Sequence, residues 1–496
     1  MSELFLDVTD ESGVSFVHFS PDFRGGAVAV ADLTGDHLPD ILAGGRHGAL
    51  AVFVNLGGMR FVDWTESAGL PESGAVTALT AGDLDNDGDA DLVLARRGLS
   101  SSVEFYENDG AGHFSWSMAV GDAGSVEHLL LVDIDDDGRL DVHSSNSMSG
   151  LGNEPQNRLY LQRDTWTFER VDSPDSSTAA ASWTATAFDF DGDGDRDLYV
   201  ANDTLAQDFG FLVAEVDEDR AVDRLWRNDG LDERGLPVFT DVALEVGLGE
   251  PRSSMGGLVA DFNGDRTLDL FVPDLGANKL FSPVGDGRYV DIAAEVGLAA
   301  SHRSDLGCRP DTRDSRCLLL SWGAAFADFD GDGARDLAVV NGPMLFSDPA
   351  PPQLYFTRLD PAGGYREHAL LVGCDEGHGL VPADLDRDGD LDLVVSVREG
   401  SYRLYENTEG PPAHWLAVRL VGTASNRDGR GAVITAELAD GGQVVELVGA
   451  GGVAFSSPPA EVFVSGGAFG LHDRVLTRAS RRLSLSETQS TDYPTT

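Results

Sequence analysis

Seven stretches of this chain set acidic side chains at the first, third, fifth and ninth positions of a nine-residue run, with Thr34 and Asn263 the two exceptions. Glycine stands at the fourth or sixth position, and a short apolar run follows. The clearest copies are Asp189-Phe-Asp-Gly-Asp-Gly-Asp-Arg-Asp197 and Asp328-Phe-Asp-Gly-Asp-Gly-Ala-Arg-Asp336. The candidate ligands are Asp32, Asp36 and Asp40; Asp83, Asp85, Asp87 and Asp91; Asp133, Asp135, Asp137 and Asp141; Asp189, Asp191, Asp193 and Asp197; Asp261, Asn263, Asp265 and Asp269; Asp328, Asp330, Asp332 and Asp336; Asp384, Asp386, Asp388 and Asp392. Carboxylates crowded into one turn repel each other, and a hard cation among them removes the repulsion. Calcium, an oxygen-seeking ion that tolerates irregular geometry, is the expected cofactor. An EF-hand is excluded, because the twelfth position counted from Asp189 is Val200, inside an apolar strand pattern, where that loop needs a bidentate Glu. An acidic turn holding no ion is the alternative for any single copy, and seven copies in register argue against it for the set. The copies that depart most are the first, with Thr34 third and His37 sixth, and the fifth, with Asn263 third.

The spacing of the loops dictates the elements that position them. First aspartates fall at 32, 83, 133, 189, 261, 328 and 384, intervals of 51, 50, 56, 72, 67 and 56 residues. Such an interval holds one four-stranded sheet, the size of a propeller blade. Each unit runs from a small-residue strand through the acidic loop to a β-branched strand. A third strand follows, ending in an aromatic-Asn signature such as Phe105-Tyr-Glu-Asn108, and then a Phe-x-Asp segment such as Phe61-Val-Asp63. The last unit lacks that final segment, while the amino terminus opens with Phe5-Leu-Asp-Val8. Leu4 to Thr9 is therefore expected to supply the outer strand of the seventh blade and close the ring. The fold expected is all-β: a seven-bladed propeller over residues 1–410, a small β domain over 411–485, and a disordered Ser/Thr-rich tail over 486–496.

Insertions at Ser144 to Asn157, Thr204 to Val222 and Ala299 to Leu318 leave by the face opposite the acidic loops, which makes that face the expected recognition surface. The residues six before each first aspartate should converge at the channel mouth: Gly26, Thr77, Glu127, Trp183, Met255, Trp322 and His378. Among these, Trp183, Trp322 and His378 are the candidate small-molecule contacts. Inter-blade packing is the alternative for the two tryptophans. No metalloprotease, nucleophile-elbow or phosphate-loop motif appears, so no catalytic residue is assigned.

Composition narrows the partners. With 84 acidic against 35 basic residues among 496, a net charge of −49 argues against nucleic acid and against anionic membrane surfaces. About a third of those acids stand in the loops. No apolar stretch long enough for a membrane helix occurs, the first residues carry no secretory-signal pattern, and a monomer is expected. Cys308 and Cys317 either bridge, in an oxidising compartment, or stay free thiols; Cys374 is the third cysteine.

The repeats resemble the FG-GAP/VCBS type of integrin-α-like propellers. Ser321-Trp-Gly-Ala-Ala-Phe-Ala-Asp328 with Asn341-Gly342 is similar to the cartilage acidic protein family, and His414-Trp-Leu416 with Ser425-Asn-Arg-Asp-Gly-Arg-Gly-Ala432 resembles the ASPIC/UnbV domain. The resemblance spans about residues 4 to 482. The Phe-Gly-Leu-Gly stretch of that domain is matched only by Val462-Phe-Val-Ser-Gly466 or Phe469-Gly-Leu471, and its Trp-Pro-x-Gly ending is missing. The resemblance implies a calcium-binding, extracellular or periplasmic interaction or adhesion module with a protein or glycan ligand. Some bacterial members accompany natural-product biosynthesis, which implies an alternative: a cyclase- or lyase-type enzyme with its site at the channel mouth.

Overall fold

The β-branched and aromatic runs behind each acidic loop form strands, and the loops become the tips of hairpins joining the first and second strand of a sheet. The computed structural model describes residues 4–20, 24–46, 50–71, 74–97, 101–122, 125–147, 157–174, 180–203, 222–300, 308, 317–342, 353–360, 364–369, 376–409, 415–437, 442–449, 456–465, 475–478 and 483–489. Most of the three insertions, Cys374 and residues 490–496 lie outside these.

Seven four-stranded antiparallel units follow one another. Blade 1 is Ala27–Ala31, Asp40–Gly44, Leu50–Asn55 and Phe61–Asp63. Blade 4, typical of the rest, is Ala181–Phe188, Asp197–Asp203, Arg224–Leu231 and Pro237–Asp241. In blade 7, strands Gly377–Ala383, Asp392–Val397 and Arg403–Asn407 are completed by Phe5–Asp7 from the amino terminus, with Phe5 opposite Asn407 and Asp7 opposite Tyr405. That pairing closes the ring and leaves no sheet edge at the seam. The Phe5 ring, 5 % exposed, packs edge-on against Phe329 of blade 6, centroids 5.6 Å apart, so the closing strand is held by core contacts as well as by its ladder. Inner strands are buried on both faces, which explains why they read as unbroken small and β-branched runs: Ala27 to Val30, Leu92 to Ala95 and Leu198 to Ala201 are each at most 1 % exposed.

The carboxy-terminal domain is two three-stranded sheets. Trp415–Gly422 lies between Val462–Ser465 and Leu483–Gln489, and Val433–Glu437 lies between Gln443–Leu447 and Val475–Arg478. Val418, Ile434 and Val464 form its core. The boundary expected at 485 is corrected here. The last strand pairs with Trp415–Gly422 as far as Gln489 opposite Ala417, so Ser486 to Gln489 belong to the domain. Main-chain pairing, rather than side-chain composition, holds a polar segment in a ladder.

This domain sits on the face carrying the acidic loops. Ser456–Ser457 adds a parallel strand beside Val28 and Ala29 of blade 1, and the Ser457 hydroxyl lies 2.8 Å from that of Thr80 in blade 2. Arg387 in the seventh loop pairs with Glu461 at 2.7 Å, and Arg335 in the sixth pairs with Glu446. In the other direction, Arg430 donates to the carbonyl of Ala81 at 2.7 Å.

Candidate metal centre

All seven acidic loops share one hydrogen-bond frame built from their own carboxylates. The first aspartate accepts the N–H of position six in every copy, from His37 onto Asp32 at 3.0 Å to Gly389 onto Asp384 at 3.2 Å. The ninth, always the first residue of the second strand, accepts the N–H of position two: Leu33 onto Asp40 at 2.9 Å, Phe190 onto Asp197 at 2.8 Å, Leu385 onto Asp392 at 2.9 Å. To turn so tightly the backbone goes left-handed at positions four and six, as at Gly192 (φ 81°) and Gly194 (φ 105°), which accounts for the glycine preference. At position six His37 (φ 69°) and Arg266 (φ 75°) adopt it without that freedom, in the two loops that depart most from the pattern, and at position four Asn86, Asp136 and Arg387 do so.

The turn brings carboxylates together. Asp83, Asp85 and Asp91; Asp133, Asp135 and Asp141; Asp189, Asp191 and Asp197; Asp328, Asp330 and Asp332; and Asp384, Asp386 and Asp392 each place one oxygen per residue within 4.8 Å of the others. Among the described residues the first and fifth loops make no such trio, in keeping with Thr34 and Asn263 at position three. There Asn263 donates to Asp265 at 3.0 Å, and Arg419 of the carboxy-terminal domain lies 3.7 Å from Asp32.

Crowding and burial show in the acidities. Burial first, then Asp428, Asp87 and Asp85, push Asp83 up to about 7. Asp91 rises to about 8, Asp133 to about 7 and Asp384 to about 7, with burial the main cause each time. Such groups resist ionising unless a cation joins them. The third loop shows the demand directly, since Asp133 Oδ1 and Asp135 Oδ1 are buried and meet no hydrogen-bond donor among the described residues. Oxygen-only donors at this spacing, with oxygens left bare, fit a hard divalent ion.

The aromatic-Asn signature proves to be more than a strand marker. The backbone N–H of Asn55, Asn108, Asn228 and Asn407 donates to the ninth aspartate of its own blade at 2.8–2.9 Å. Their side-chain amides reach back to the position-two carbonyl of the preceding blade: Asn55 to Leu385 at 2.7 Å, Asn108 to Leu33 at 2.9 Å, Asn407 to Phe329 at 2.8 Å. In blade 4, Asn228 reaches Ile134 at 3.0 Å, and in blade 3 Gln162 takes the same part, donating to Leu84 at 2.9 Å. Five of the seven loops are thus latched to the next blade through an Asn or Gln amide. The recurring Asn at one strand end was the signal available in the sequence.

At the opposite end of the channel Trp183, Trp322 and His378 do come together, but packed rather than open. They are 2 %, 0 % and 1 % exposed; Trp183 meets Trp322 edge-on at 5.3 Å, and Trp322 meets His378 at 4.9 Å. Met255 joins the cluster. Beside them Arg46 pairs with the fully buried Glu127, and the Arg24 guanidinium lies 5.8 Å from the Trp183 ring centroid. The Trp183 indole N–H donates to Asp203 at 3.0 Å.

A family model described as FG-GAP-like repeat matches residues 32–94, 147–200 and 328–395. Cartilage acidic protein 1 of Homo sapiens is 23 % identical over 416 residues, 76 % of this chain and 56 % of that protein. Its Xenopus tropicalis counterpart is 23 % identical over 402 residues, 68 % of this chain and 60 % of that one. The chain thus spans a little over half the length of these curated relatives. Among solved structures, Saccharomyces cerevisiae Sqt1 aligns with 81 % of this chain and 100 % of its own at 11 % identity, with a TM-score of 0.44, too distant to bear on function. Fold and repeats define a seven-bladed propeller of FG-GAP-like units. Within that class the chain is similar to the cartilage acidic proteins of vertebrates.

Proposed function

We propose that this protein is a calcium-stabilised propeller acting as an extracytoplasmic interaction module, with a protein or glycan as its ligand. The five carboxylate trios converging within 4.8 Å carry the metal part of this reading. In each, the aspartates at positions one, three and nine or five would hold the ion, which supplies the neutralising charge that fixes the hairpin. Arg and Lys are too scarce, 35 against 84 acids, to do this instead. The disulfide between Cys308 and Cys317, Cα atoms 5.6 Å apart, supports an oxidising compartment, as does the kinship with cartilage proteins. No helix among the described residues is long and apolar enough to cross a membrane.

The carboxy-terminal domain occupies the acidic-loop face, which favours the opposite face, where the inserted segments connect the strands, for partner recognition. The mutual packing of Trp183, Trp322 and His378 favours a structural role for them over that of an open catalytic mouth. Thermal unfolding in calcium and after exhaustive chelation tests the reading. A marked fall in unfolding temperature on chelation, restored by calcium, is expected, and coincident curves with the metal demonstrably removed would overturn it.

A further inference from the structure

The carboxy-terminal domain rests on the acidic loops at residues whose placement depends on the turn itself. Position four of the turn is left-handed, and in the second and seventh loops it is held by residues without glycine's freedom, Asn86 (φ 63°) and Arg387 (φ 64°). Both reach the docked domain. Asn86 Oδ1 accepts the Arg427 N–H at 3.0 Å, and Arg387 pairs with Glu461 at 2.7 Å. At position six of the seventh loop, Gly389 (φ 101°) meets the Trp415 indole, which fills the space a Cβ would take. Asp83, first in the second loop, is engaged twice: its N–H donates to Asp428 Oδ2 at 3.1 Å, and the Arg427 guanidinium lies 3.4 Å from its carboxylate. In the third loop Gly138 lies against the Ala424 carbonyl.

These docking residues are threaded between the groups that would hold the ions. Carboxylates at positions one, three and nine converge as Asp83, Asp85 and Asp91 in the second loop and as Asp384, Asp386 and Asp392 in the seventh. Position four therefore lies in the stretch of turn that an ion closes. Asp428 is not one of the converging residues, so it meets the second loop as one more negative charge and not as a ligand. Two arginines answer it, Arg427 beside Asp83 and Arg430 at 3.3 Å from Asp428, and the four loop carboxylates with Asp428 still outnumber them. A divalent ion reduces that excess and pins the turn. Without it the loop carboxylates repel, and residues held left-handed against their preference are free to relax. The Asn86 oxygen and the Arg387 guanidinium then lose the placement on which docking depends.

We propose, resting on the calcium reading of the loops, that calcium in the second and seventh loops fastens the carboxy-terminal domain to the propeller, so that ion binding and docking strengthen each other. The Arg427 amide, bonded across the interface to Asn86, reports docking directly. Hydrogen exchange of the full chain, read by mass spectrometry in saturating calcium and in chelator below the unfolding temperature, should show this amide exchanging at least tenfold faster in chelator, with Val433–Glu437 in the domain core unchanged. The reciprocal arm titrates calcium into Trp415→Ala by calorimetry. That change removes a docking contact and no charge, and it should weaken at least one calcium site fivefold or more while the number of ions at saturation stays the same. Should the variant's domain unfold, docking is lost all the same and the titration still reads the coupling. Trp116→Ala, at an indole 63 % exposed on the outer strand Phe114–Asp122, should titrate as the native protein does. Equal Arg427 exchange in the two conditions, or a Trp415→Ala titration that superimposes on the native one, would overturn the coupling and leave the calcium reading standing; a chain that binds no calcium would end both.

Discussion

Asp85→Asn should change the stability of this protein in opposite directions with and without calcium. Asp85 stands at position three of the second loop, with one oxygen within 4.8 Å of oxygens from both Asp83 and Asp91. Its Oδ1 accepts the Asp87 N–H at 3.1 Å, a bond that an asparagine oxygen keeps. Burial first, then Asp87, already raises its pKa, so ionised Asp85 is disfavoured in the empty loop. Two unit charges at this separation repel by about 1 kcal/mol in water and about 3 kcal/mol at a protein-surface dielectric. Two such pairs disappear in the variant, and screening at a partly exposed loop holds the net gain to about 1–3 kcal/mol in chelator. With calcium present the variant has lost a charged ligand. A tenfold to hundredfold weaker site removes about 1.4–2.8 kcal/mol of binding-linked stability at saturation. Urea unfolding followed by intrinsic tryptophan fluorescence, with and without chelator, should give curves whose order inverts between the two conditions. Equal destabilisation in both would show that Asp85 is a plain structural residue, and the reasoning from charge crowding would fail.

Three further outcomes follow from the same geometry. Asn108→Ala removes the latch to Leu33 and leaves that buried carbonyl and the one at Ala90 with a donor fewer, so it should cost about 2–4 kcal/mol in urea unfolding whether or not calcium is present. Trp322→Ala should cost about 3–5 kcal/mol by the same measurement, as expected for a fully buried ring; an unchanged midpoint would return that residue to the candidate ligand contacts. Burial, then Asp223, raises Asp274 to about 8, with Arg252 opposing. A carboxyl raised in the folded state favours folding most below its ordinary value near 4 and loses that contribution as pH climbs through about 8, by at most about 1.4 kcal/mol per unit. Relative to the native protein, Asp274→Asn should therefore gain stability between pH 6 and 9 at saturating calcium, and parallel pH profiles would rule this out.

The repeat architecture was legible because each blade writes its own loop. Carboxylates at fixed offsets and left-handed turns leave a sequence mark whatever the packing around them. The match of Phe5 to the missing outer strand was legible for the same local reason, a Phe-x-Asp segment without its sheet. What depends on distant surfaces was not. The Ser425 to Gly431 stretch reads only as a turn, yet Arg427 lies 3.4 Å from Asp83, and the Asp83 N–H donates to Asp428 at 3.1 Å. Nothing local says that this domain rests on the acidic loops. Trp183 and Trp322 share a register position and do meet, at 5.3 Å, but spacing cannot tell an open mouth from two rings closing on each other. The polar strand through Gln489 shows the limit of composition, since pairing partners decide where a domain ends.

The central claim is that carboxylate crowding in these loops is resolved by calcium. The most direct test is the count of ions retained by the intact, chelator-stripped and reloaded chain after equilibrium dialysis against buffered calcium, read by atomic emission. Five or more per chain, one for each converging trio and not displaced by excess magnesium, is the result predicted. None or one, from a chain that is folded and at neutral pH, would contradict it.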